Sequence, residues 1–216
     1  MMALAFTSAL LTAAAGVAAQ PPVGDKPANK YFGRSAHQLA VCAARRRPTA
    51  DKMLATLPGT AEESRAALLL LDPTPDCERG SNNPRFDVRY VRGGVAEALY
   101  KEDFDFSGTA TRNIAGIYPV PRPEQVAGLS EATKSTIGMI MVAQCVALAD
   151  IDAIADLLVT HVGFPAEMAA MKRLQPLLES CAPKGVLANI PPLLMRGYLA
   201  EGAYRVSVME ARGQRQ

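Results

Sequence analysis

Tryptophan is absent from this chain of 216 residues, and aromatic residues supply only 6% of it. Without large rings, the core has to be assembled from aliphatic and small side chains. Alanine and leucine are abundant, the palette of closely packed helices. Neither sign of charge prevails: 23 Lys and Arg stand against 21 Asp and Glu, a net of +2. A dedicated nucleic-acid surface shows a strong clustered positive excess, so no nucleic-acid partner is expected. Histidine occurs only at His37 and His161, and no two of the four cysteines have CxxC spacing. Both shortages argue against a zinc centre, and no metal or other cofactor is expected.

Charged side chains are also missing from the first nineteen residues, MMALAFTSALLTAAAGVAA. A short apolar stretch, Leu4 to Ala14, runs into the small residues Gly16 to Ala19, the pattern of a secretory signal cleaved after Ala19. It is too short and too alanine-rich for a good membrane span. The first cysteine beyond it is Cys42, which argues against a lipid anchor. A periplasmic or secreted home follows, and there four cysteines are expected to form two disulfides. The apolar run Ile137 to Ala149 suits a buried helix, so no transmembrane span is expected in the mature chain.

What the chain does contain is a repeat. Arg92 to Tyr100 reads RGGVAEALY, and Arg196 to Tyr204 reads RGYLAEGAY. The offset is 196 − 92 = 104; Cys77 to Cys181 keeps it, and Cys42 to Cys145 falls one short. An internal duplication bears on architecture before any local propensity does. The expected organisation is a signal peptide (1–19), a flexible leader (20–33), helical repeat 1 (34–102), a linker (103–129), helical repeat 2 (130–210) and a tail (211–216). The fold class is all-α, with two tandem repeats packed pseudo-symmetrically and one disulfide in each. Of the three possible pairings, the repeat favours Cys42–Cys77 with Cys145–Cys181.

Local signals fill in the elements. Ser35 with Gln38 fits a capping box opening the first helix, and Pro48 closes it. Arg45, Arg46 and Arg47 then fall in its last turn, where cations offset the helix dipole. Thr60 with Glu63 forms a second capping box ahead of Ala61 to Leu71. Gly163 and Glu167 correspond to Gly59 and Glu63.

Within the nine-residue signature, helical spacing puts Arg92 and Tyr100 along one face. Each Glu lies one turn beyond a glycine: Glu97 over Gly93, and Glu201 over Gly197. Lys101 and Arg205 follow the glutamates by four residues, the favourable order for an ion pair. Two readings compete. Glu97 and Glu201 could be a carboxylate pair for acid/base chemistry. Alternatively, Arg92, Glu97, Tyr100 and Arg196, Glu201, Tyr204 each hold their own repeat together. Duplication favours the structural reading, because catalytic pairs need unlike environments. Asp103-Phe-Asp-Phe-Ser-Gly108 resembles the start of a calcium loop, but Ile114 stands where the bidentate Glu is needed.

The pattern Cys42…PGTAEES…Cys77…RGGVAEALY resembles a group of uncharacterised secreted bacterial proteins. The resemblance spans both repeats and implies tandem cysteine-containing helical repeats in an exported chain. It carries no activity and no site residues with it.

Nothing in the sequence resembles a reacting constellation. The leading expectation is a non-catalytic exported module that binds a protein or cell-envelope component. The runner-up is a carrier of a small apolar ligand, with a pocket between the repeats, suggested by Met139, Met141, Met168, Met171 and Met195. An enzyme using Glu97 or Glu201 comes third.

Overall fold

The computed structural model describes residues 30–72, 77, 87–104, 110–111, 126–187 and 189–213. The expected signal peptide, most of the leader and linker, and the end of the tail lie outside the described residues. Those described form α1 (Lys30–Ala43), α2 (Arg47–Leu54), α3 (Ala61–Leu71), α4 (Val88–Asp103), α5 (Glu131–Ala149), α6 (Ile151–Leu158), α7 (Pro165–Cys181) and α8 (Pro192–Ala211). The expected all-α class is what is found. The β pairing among the described residues is a single bridge between Phe104 and Ala110. The first residues of α2, α3 and α4 precede those of α6, α7 and α8 by 104 positions, matching the sequence offset.

Helix starts follow their capping chemistry. Thr60, Ser130 and Asp150 accept the backbone N–H three residues on, and Asp87 accepts that of Arg89. Each satisfies a donor that the first helical turn leaves open. Gly59 (φ +73°) and Gly163 (φ +83°) make the turns ahead of α3 and α7 in the left-handed region that favours glycine.

Three local readings need correction. Ser35 opens no helix: α1 begins at Lys30 and Ser35 lies inside it. The helix extends past the expected cap because tertiary packing holds its first turns, with Gly33 lying against the Tyr90 ring. Pro48 closes no helix but sits in the first turn of α2, where its missing N–H costs nothing. The arginine triplet is not the last turn of α1, which ends at Ala43. Arg46 instead reaches the end of α3, donating to the carbonyls of Leu70 (3.5 Å) and Asp72 (3.0 Å). For Arg46 the helix-end role is right and the helix is wrong, whereas Arg47 pairs with Asp51 and Asp103.

α4 packs on α8 at the centre, with α1 along α4 and α5 along α8. α8 is buried without interruption from Leu194 to Val208, as a helix enclosed on all sides must be. α5 is 19 residues long and apolar enough, by length and composition, to cross a membrane. Here it packs on α7 and α8, and Ile137, Ile140 and Val146 enter the core. Cys42–Cys77 and Cys145–Cys181 are bonded as the repeat favours, one disulfide in each half. Cys181 is the last residue of α7, which carries Pro176 inside it.

Candidate functional site

The duplicated motifs meet where α4 faces α8. Arg92 grips Glu201 with two nitrogens (Nε–Oε2 2.7 Å, Nη2–Oε1 2.8 Å). Arg196 grips Glu97 in the same way (Nε–Oε2 2.8 Å, Nη2–Oε1 2.7 Å). Such forked, charge-assisted pairs are the strong ones. Each arginine also turns back to its own half. Arg92 Nη1 donates to Glu63 at 3.0 Å and to the carbonyls of Met53 and Thr56. Arg196 donates to Glu167 at 3.2 Å and to the carbonyls of Leu157, Leu158 and Thr160. Those carbonyls belong to the ends of α2 and α6, where helical bonding leaves acceptors open and the dipole is negative.

This corrects the expectation that each motif binds only its own half. The arginines do satisfy neighbouring helix ends, but their carboxylate partners are exchanged between halves. Glu63 and Glu167 complete the pattern, each with its second oxygen on the N–H of Gly59 (2.6 Å) or Gly163 (2.5 Å). Lys101 Nζ reaches Glu97 at 2.6 Å and Arg205 Nε reaches Glu201 at 3.1 Å, as the spacing predicts. His37 adds Nε2 at 3.1 Å from Glu97. The repeat carries no signal for that contact, because the position corresponding to His37 at the α1–α5 cysteine offset is Ile140.

Arg92, Arg196, Glu97 and Glu201 are all buried. Burial pushes the Glu97 carboxyl up, but hydrogen bonds from Arg196 and His37, with their charge, hold it well below the ordinary carboxylate range. Burial opposes ionisation of Glu201 too, and the charges and hydrogen bonds of Arg92 and Arg205 overcome it, again lowering its pKa. A carboxylate so depressed is a poor proton acceptor at neutral pH.

The two tyrosines leave this network. Tyr204 donates its hydroxyl to Asp103 at 3.0 Å, and Arg47 forks onto the same carboxylate with Nη1 at 2.7 Å from Oδ1. Burial, then the Asp103 charge, pushes the Tyr204 phenol up. Tyr100 lies beside the Phe104 ring, centroids 5.7 Å apart. Asp103, the first residue of the calcium-like run, is thus fully buried and bound to arginine. Positions 105–108 of that run lie outside the described residues. Among the described residues no group of three His, Cys, Asp or Glu side chains could hold a metal.

The methionines do not converge between the halves. Met139 and Met195 are buried, whereas Met141 and Met168 are about half exposed, at 51% and 56%. A cleft of about 820 Å³ lies wholly within the second half, between α7, the segment after it and the start of α8. Met168, Met171 and Met195 line it; Met139 and Met141 do not. No family model, curated protein or solved structure matches this chain.

Proposed function

We propose that this protein is an exported, non-catalytic helical module that binds a protein or cell-envelope component. The observation that carries the proposal is the closure of the Arg92–Glu201 and Arg196–Glu97 network. Glu97 and Glu201, the candidate acid/base pair, are both buried and held by cations. An acid and a base would need environments that push their pKa values apart, whereas Glu97 and Glu201 are both pushed down. The two disulfides fit an oxidising compartment, which supports export.

Native mass spectrometry of the protein purified from an oxidising periplasm tests export. The expected mature chain begins at Gln20 and is four hydrogens lighter than its reduced form. An uncleaved chain with free thiols overturns that part of the reading. For catalysis, Glu97→Gln and Glu201→Gln should lower the melting temperature together and leave binding to envelope fractions unchanged at temperatures where both variants stay folded. Loss of a turnover-dependent phenotype in folded variants would restore the enzyme.

The carrier remains the second reading. Between the halves, the backbones of Gly93 and Gly197 are in contact, and the cleft found among the described residues lies in the second half. Its support is therefore the cleft of the second half.

A further inference from the structure

The second half contains something its duplicate does not require. At the 104-residue offset, Met171 and Lys172 correspond to Ala67 and Leu68. α3 stops at Leu71, but α7 continues past the equivalent Gln175 to Cys181. Those extra turns form one wall of the cleft, through Leu178 and Glu179. The duplicated scaffold therefore does not dictate the cleft.

Its chemistry is two-sided. Met171, Leu178, Leu187, Ile190 and Met195 give an apolar interior. Methionine adapts its shape to flexible apolar partners, and a volume of about 820 Å³ lies in the range of small-molecule sites. Lys172 and Lys184 stand exposed at the same cleft, and neither has an ion-pair partner among the described residues. The one carboxylate there, Glu179, accepts a hydrogen bond from the Gln175 amide at 2.7 Å. An apolar interior beside two exposed ammonium groups fits a ligand with a hydrocarbon tail and a negative head.

We infer that the cleft binds a single-chain anionic amphiphile, its tail against Met171 and Met195 and its head at Lys172 and Lys184. This rests on the carrier reading, whose support is this cleft, and names the chemical class of its ligand. A fatty carboxylate and a lysophospholipid share the recognised chemistry.

The test is calorimetric titration of the full disulfide-bonded protein, below micelle-forming concentrations. The probes are C12 to C16 carboxylates, lysophosphatidylglycerol and hexadecylamine. One saturable site is expected, tightening about fourfold per added methylene, the value of burying one CH₂. The anions should bind at least tenfold tighter than the amine at low salt. Lys172→Glu/Lys184→Glu, at exposed positions, should erase that preference while keeping the chain-length dependence. Met171→Asp, with its fold checked by circular dichroism, should weaken all tails. Tighter binding of the lysophospholipid identifies a membrane lipid as the source; tighter binding of the carboxylate identifies a free fatty acid. Absence of saturable binding overturns the inference, as does binding indifferent to both variants. Either result leaves the binding-module reading to be judged by its envelope-binding assay.

Discussion

Gly93 and Gly197 meet backbone to backbone: a Cβ built on Gly93 would lie 2.6 Å from the Gly197 Cα. No real Cβ sits that close to a backbone atom. This approach brings α4 and α8 near enough for each arginine to span to the opposite glutamate. Glycine in a helix interior is intrinsically unfavourable by about 1 kcal/mol relative to alanine, and here close packing offsets it.

Gly93→Ala and Gly197→Ala should therefore each destabilise by about 2–3 kcal/mol, the overpacking range, despite better helix propensity. Gly138 supplies the control, since a Cβ there meets nothing within 4 Å. Gly138→Ala should stabilise by about 0.5–1 kcal/mol. Urea midpoints decide the matter, and equal gains at all three positions would refute the contact.

The ion pairs predict a different pattern. Replacing Glu201 by Gln takes from buried Arg92 its forked partner, leaving it Glu63, and takes from buried Arg205 the carboxylate four residues before it, a loss of about 3 kcal/mol. Arg92→Met should cost a similar amount. The double variant removes both charges of the pair and should cost clearly less than the two losses added, a coupling that a double-mutant cycle measures directly. Strict additivity would show that Arg92 and Glu201 do not interact.

Much of this was readable from the chain, and the limits have a physical cause. The offset placed the helices of the second half, and it favoured the correct disulfides. The spacing of Glu97 to Lys101 and Glu201 to Arg205 identified true ion pairs because a helix fixes what stands four residues away. Arg92 and Glu201 are 109 residues apart, and their contact depends on how two helices pack, which no local spacing encodes. The errors at Ser35 and Pro48 share one origin. A cap residue or a proline marks a boundary only if neighbouring packing does not extend or restart the helix. The cleft depends on where α7 ends, and the helix carries Pro176 inside it and continues to Cys181, an end that no cap residue marks.

Acid should weaken the fold through the same glutamates. The folded-state pKa values of Glu97 and Glu201 lie below the ordinary carboxylate value. Unfolded chains therefore take up protons first as pH falls, and stability drops with them. The contribution is fully present above about pH 5 and is lost progressively from there through the lower folded values. Denaturation midpoints should be flat with respect to these groups near neutrality and fall steeply in acid. In Glu97→Gln the acid slope should be shallower. An unchanged slope would mean that Glu97 is not the titrating group.

The last expectation comes from a difference between the halves. Asp103 is bound by Arg47 and Tyr204, and the residues 104 positions beyond Asp103 and Arg47 are Ser207 and Ile151. Where the first half has an ion pair, the second has a small polar residue and an aliphatic one. Ser207 is fully buried, and its Oγ has no hydrogen-bond partner among the described residues. A buried hydroxyl without a partner costs about 1–3 kcal/mol in lost hydration. Ser207→Ala removes that cost and leaves little cavity, so it should stabilise by about 1 kcal/mol. Asp103→Ala strips Arg47 and Tyr204 of their shared acceptor and should destabilise by about 3 kcal/mol or more. Opposite shifts in melting temperature at these two equivalent positions would mark the first as an ion-pair site and the second as its unpaired counterpart. A loss at Ser207 as large as that at Asp103 would show that the hydroxyl has a partner after all.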